Sequence, residues 1–115
     1  MTHYLKLNPI PFSQIESGIK TIELRLYDEK RQKIAVGDTL IFTHRNDEKK
    51  TITVKVTALH RFENFEKLYA CLPLTKCGYS KENAKSASSS DMAQYYTPED
   101  EKQFGVVGIE FTLLS

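Results

Sequence analysis

Over residues 21–26 apolar and polar residues alternate without a break: Ile22, Leu24 and Leu26 fall on one side of an extended chain, Thr21, Glu23 and Arg25 on the other. Successive strand side chains point to opposite faces, so this period of two predicts a β-strand with one apolar face. A second stretch repeats the signal. Over residues 51–59, Ile52, Val54 and Val56 share a face while threonine and lysine occupy the other, a pattern that demands a sheet packed on one side.

The other elements are read around these two. Residues 3–7 predict a short strand ended by Asn8 and Pro9, and residues 39–43 another, fed by a tight turn at Val36, Gly37 and Asp38. The polar run 45–50 predicts a hairpin tip leading into residues 51–59, and residues 106–114 predict a buried closing strand. Phe12, Ile15 and Ile19 have helical spacing; Pro11 suits the first turn, and Gly18 sits at a left-handed C-terminal cap with Ile19 folding back on the helix. Phe62, Phe65, Leu68, Tyr69 and Leu72 predict a second helix, with Asn64 as N-cap and Pro73 at its close. A third starts at Thr97 and Pro98, with Glu99 and Asp100 in its first turn and Gly105 after its last. The charged cluster at residues 28–33 reads as a solvated loop, and the serine-rich stretch 79–91 as a loop or lid.

About five strands with short helices between them, and no regular β-α-β alternation, argue against a doubly wound parallel sheet. The fold class expected is α+β: a mixed β-barrel of about five strands with short flanking helices, in which closure leaves few strand edges exposed. At 115 residues, 40% hydrophobic and 27% charged, the chain suits one globular domain over residues 1–115. No apolar run approaches the roughly 20 residues of a membrane span, and the first residues lack the pattern of a signal peptide, so a cytoplasmic protein with no membrane partner is expected. Cys71 and Cys77 match neither a redox motif nor zinc spacing, and His3, His44 and His60 are scattered, so no metal and no cofactor are predicted. A net charge of +1 argues against a broadly cationic nucleic-acid binder. Any contact with RNA must be local.

Residues 18–25, Gly18-Ile19-Lys20-Thr21-Ile22-Glu23-Leu24-Arg25, resemble the GxKxxExR signature of the ASCH superfamily, relatives of the PUA RNA-binding domains, with all four signature residues present. The resemblance extends along nearly the whole chain: a helix before the signature, Gly37-Asp38 before a strand, a helix at residues 62–72 and a closing strand from Phe104. It implies a PUA-like barrel with a cleft beside the signature that binds RNA or a modified nucleoside. One branch of the superfamily contains amidohydrolases that deacetylate N4-acetylcytidine. These carry a lysine matching Lys20 but a threonine where this chain has Glu23. Another branch has ribonuclease character. Family resemblance alone does not choose between these activities.

The candidate site residues follow from the signature and its surroundings. Lys20, at the start of the strand, would contact phosphate or, if desolvated, serve as a base. Glu23 and Arg25, two residues apart on one face, would act as a carboxylate orienting a guanidinium toward a phosphate or base edge. Thr21 adds a hydroxyl on that face, Ser90 with Ser88 and Ser89 would offer hydroxyl donors, and Tyr96 or Tyr95 would stack a base. The plainer alternatives are a solvated lysine, a surface ion pair and tyrosines packed in the core. Three functions compete: a binding module for RNA or a modified nucleoside; an enzyme with Lys20 and Glu23 catalytic, acting on an acylated nucleoside amide or an RNA phosphodiester; and a protein-interaction domain. The last would show a flat signature face with an apolar patch in place of a concave polar pocket.

Overall fold

The computed structural model describes residues 1–114 and arranges five strands in one sheet. They are β1 (Thr2–Leu7), β2 (Ile22–Leu26), β3 (Thr39–His44), β4 (Asp47–Phe62) and β5 (Val106–Leu113), in the order β1-β3-β4-β5-β2. β1 runs parallel to β3, and the other neighbours are antiparallel. The long β4 serves both halves, pairing with β3 near its start and with β5 from Val54 to Phe62. Its register against β5 slips between Val56 and Ala58, and the extra residue, Thr57, makes a bulge of the kind that bends a strand and adds twist. The sheet curls into the expected PUA-like α+β architecture as a half-barrel, with β1 and β2 at the two ends of the hydrogen-bonded order.

The alternation seen in sequence fills both sides of this sheet. Leu5, Leu7, Leu40, Phe42, Val54, Val56, Val107, Ile109 and Phe111 form the inner core, closed by Phe12 and Ile15 from α1 (Pro9–Glu16). On the outer side Ile22, Leu24, Leu26 and Val106 pack under Phe65 and Leu68 of α3 (Phe65–Cys71). Fully burying one such aliphatic or aromatic side chain contributes about 1.5–3 kcal/mol. In the β2–β5 pairing Glu23 lies opposite Ile109 and Arg25 opposite Val107, which puts both charged residues on the inner face. The polar side of β2 is therefore enclosed by the curl of the sheet, and the plainer alternative of a surface ion pair does not hold.

Several elements depart from the sequence reading. Only Arg45 and Asn46 form the hairpin tip; residues 47–50 belong to β4, because ladder bonds need backbone rather than apolar side chains. Phe62 ends β4, and α3 starts after the Asn64 cap, whose side chain accepts from Lys67 N. The supposed loop at residues 28–33 contains α2 (Glu29–Gln32), nucleated by Asp28 accepting from Arg31 N. Residues 79–91 hold α4 (Lys81–Ser86) and the start of a 3-10 turn (Ser89–Gln94), capped by Ser80 and Ser88. Short polar helices like these rest on caps, which leave no apolar period to read. The third predicted helix is α5 (Pro98–Phe104), with Thr97 and Asp100 in a reciprocal capping box.

Candidate functional site

The position of Lys20 is set by the end of α1. Gly18, at φ +85°, allows a Schellman closure in which Gly18 N donates to Ile15 O and Ile19 N to Gln14 O, each at 3.0 Å. Lys20 N donates to the same Gln14 oxygen at 3.0 Å. The cap forms as the sequence suggests, but Ile19 is 63% exposed and does not fold back on the helix. Thr21 N then donates to Lys76 O, and Thr21 O accepts from Phe111 N, anchoring the chain as it enters β2.

Among the described residues Lys20 and Glu23 are the buried charged ones, 8% and 5% exposed. Lys20 Nζ lies 2.7 Å from Glu23 Oε1. Arg25 Nε donates to Glu23 Oε2 at 2.9 Å, with Nη2 2.8 Å from that oxygen and 2.9 Å from the backbone oxygen of Lys6, to which it also donates. Burial pushes the Glu23 carboxyl up, but Lys20 and Arg25 outweigh it and hold the group below its ordinary range. Burial likewise opposes the Arg25 charge, and Glu23 more than restores it.

This triad forms the floor of a cavity of about 590 Å³ at the open seam between β1 and β2. Lys6, Lys20, Arg25 and Arg45 supply positive charge to its lining, against Glu23 and Asp91. A nearly neutral chain thus concentrates positive potential in one concavity. The facing wall is aromatic: Tyr69, Tyr79, Tyr95 and Tyr96. Tyr79 donates to Asp91 Oδ2 at 2.8 Å, so its one proton is used and the 2.7 Å contact with Tyr69 has Tyr69 as donor. Burial, reinforced for Tyr79 by the bond it donates to Asp91, raises both phenols above the ordinary tyrosine range. Tyr96 stacks on Phe65 with ring centroids 5.7 Å apart, and Tyr95 is 57% exposed at the rim.

Lys20, Glu23, Arg25 and Tyr96 thus converge on one cleft. Thr21 precedes β2, is absent from the cleft lining and contributes backbone bonds. Ser90 faces a second, broader depression of about 1060 Å³, and its hydroxyl donates to Ser88 Oγ within the 3-10 cap. That depression is the larger, yet its lining holds no buried charged residue, and only Tyr96 borders both. The smaller cleft is therefore the candidate site.

Sequence reasoning missed Lys6, Gln14, Arg45, Tyr69, Tyr79 and Asp91, which reach the cleft from separate elements. Gly78 was missed as well. At φ +108° it passes so close that a Cβ there would stand 2.9 Å from Gln14 Oε1 and 3.4 Å from Lys20 Cδ, while its carbonyl accepts from Gln14 Nε2. A glycine after the Cys77 turn was the available signal for it. Cys77 is buried, and burial raises its thiol to about 11, which keeps it protonated at neutral pH. Among the described residues no group of His, Cys, Asp and Glu is placed to hold a metal, and no helix is long and apolar enough to cross a membrane.

The sequence profile described as "ASCH domain" matches residues 5–115. The chain belongs to the ASCH domain family. Its ASCH fold is similar to the crystal structure of hypothetical protein PH0355, at 30% identity and a TM-score of 0.78, over 99% of this chain and 100% of that one. It also resembles the solution structure of protein PF0455 from Pyrococcus furiosus, at 28% identity and a TM-score of 0.69, over 100% and 99% of the two chains. The ASCH crystal structure from Zymomonas mobilis is 15% identical with a TM-score of 0.61, over 95% of this chain and 65% of that one, a likeness of fold alone. No curated protein matches the chain.

Proposed function

We propose that this ASCH domain binds RNA or a modified nucleoside in the cleft between β1 and β2. The observation that carries the reading is the enclosed Lys20–Glu23–Arg25 array on the floor of a concave, tyrosine-walled cavity. Removing charges from water costs several kcal/mol per ion, and a buried ion pair is often no more stabilising than apolar residues of the same volume. Stability is thus a poor reason for the array; presenting fixed donors is a better one. Lys20 has three N–H groups and Glu23 occupies one, so donors remain for a phosphate oxygen or a base carbonyl. Tyr95 and Tyr96 offer π-faces for a base, a contact worth about 1–3 kcal/mol in single-strand complexes. The volume lies within the range of small-ligand sites, about 300–1,000 Å³. A concave polar pocket also favours a ligand over a flat protein partner.

The test is calorimetry and thermal shift with nucleosides, N4-acetylcytidine and short single-stranded RNA, on wild type and Lys20→Ala, with products separated by chromatography. Saturable binding lost in a folded Lys20→Ala protein is expected. Product formation abolished by the same change would extend the role to catalysis, with Lys20 and Glu23 as the reacting groups. A folded wild type that binds none of these ligands would end the reading.

A further inference from the structure

Positive charge continues beyond the cleft floor in one direction, toward the open end of the seam. Lys6 alternates outward from Leu5 and Leu7 and lines the cleft, and its carbonyl carries the Arg25 bond. Past the end of β2, Asp28 caps α2, which brings Lys30 and Arg31 to the same end. Arg31 Nη1 donates to both Asp28 oxygens, at 3.1 and 3.4 Å, and its buried Nε has no acceptor among the described residues. Lys30 is exposed; partial burial, then Arg31 and Arg25, then Lys6 against the opposing Asp28, hold its ammonium below the ordinary lysine range. Arg25 and Arg31 both act on the Tyr96 phenol, although burial keeps it raised, so the cluster reaches the ring that walls the cleft. Of the nearby carboxylates, Glu23 is engaged by Lys20 and Arg25 and Asp28 by Arg31, while Glu29 is exposed in the first turn of α2. The Lys30 ammonium therefore stands among three other cations, with Glu29 the one nearby carboxylate left unpaired among the described residues, an excess of positive charge that favours a bound phosphate.

We propose that Lys6, Arg25, Lys30 and Arg31 form a phosphate subsite at the end of the β1–β2 seam, so that the cleft takes a nucleotide or an RNA strand in preference to a free nucleoside. This deepens the nucleoside reading and rests on it for the base. Its own cations on α2 lie outside the cleft lining, which makes the two separable.

The experiment titrates inorganic phosphate, the four ribonucleosides and their 5′- and 3′-monophosphates into wild type, Lys30→Gln and Lys6→Gln at low salt. Affinity is read by calorimetry and location by amide NMR. Both lysines are exposed, so the variants keep the fold, and Lys85→Gln, on α4, controls for loss of one charge. A charge-assisted phosphate contact predicts that a monophosphate binds at least about tenfold more tightly than its nucleoside. Lys30→Gln should erase most of that advantage, leave nucleoside affinity unchanged and have no counterpart in Lys85→Gln; phosphate alone should shift the amides of residues 29–32. Nucleosides binding as tightly as their monophosphates would overturn the subsite and leave the nucleoside reading standing. Phosphate binding at residues 29–32 with no nucleoside binding would do the reverse, and absence of binding by phosphate and every monophosphate would overturn the subsite outright.

Discussion

Arg25 Nη2 donates to the backbone carbonyl of Lys6 at 2.9 Å, and so joins the two strands at opposite ends of the sheet order. A carbonyl on the outer edge of β1 has no ladder partner on that side, so a side chain does what a sixth strand would otherwise do. Because the same guanidinium holds Glu23, one residue sets both the floor of the cleft and the spacing of its walls.

Replacing Arg25 with alanine should therefore cost about 2–4 kcal/mol, since it strands an edge carbonyl and removes one of the two partners of a buried carboxylate. Urea unfolding measures the loss, and amide hydrogen exchange should rise along β1. Unchanged stability together with unchanged exchange in β1 would show that the seam does not depend on this bond.

Glu23→Gln leaves Lys20 and Arg25 facing each other without a carboxylate, a loss of about 3–5 kcal/mol at neutral pH. The wild type should also lose stability in acid. The folded carboxyl titrates below its ordinary 4.5, so its contribution is present above the unfolded value and disappears as pH falls through the folded one. The gap in melting temperature between wild type and Glu23→Gln should be full at pH 7 and narrow as pH falls below 4.5. Curves that stay parallel would mean that Glu23 is not held ionised by its neighbours.

Gly78→Ala tests the close approach of the chain to Lys20. The new Cβ meets Gln14 Oε1 at 2.9 Å and Lys20 Cδ at 3.4 Å in a backbone conformation at φ +108°, for an expected cost of about 1–3 kcal/mol. Gln14 and Lys20 must give way, so ligand affinity should fall along with stability. Full affinity in the alanine variant would show that Lys20 tolerates displacement.

The Tyr69–Tyr79–Asp91 chain ties the wall of the cleft to the 3-10 turn that carries Tyr95 at its end. Tyr79→Phe removes both bonds at a cost of about 1–2 kcal/mol. Hydrogen exchange should quicken over residues 89–94 while the sheet stays protected. In the wild type the Tyr79 ring signals should keep their protonated shifts beyond the ordinary tyrosine range, because burial and the bond donated to Asp91 raise the phenol.

Ile22, Leu24 and Leu26 were legible as one face of β2 because a period of two depends on neighbouring residues alone. That their polar counterparts Glu23 and Arg25 are also enclosed was not legible, since it depends on the curl that brings Lys6, nearly twenty residues earlier, across the seam. The signature supplied Lys20, Glu23 and Arg25; the cleft walls came from chain positions as distant as Gln14 and Tyr96. Ser90 and Thr21 lie outside the cleft lining for different reasons. The serine is used up in a cap, and the threonine lies one residue short of the strand whose face it was assigned.

β2 has a single ladder partner, and that partner is β5, more than eighty residues downstream at the Ile22–Glu110 pair. During synthesis, Glu23 and Arg25 leave the ribosome early but have no sheet to join until residues 106–113 follow them. The earlier strands β1, β3 and β4 can pair among themselves first, so the cleft is expected to be the last part of the molecule to assemble. A nascent chain halted before β5 would carry the whole signature and no site.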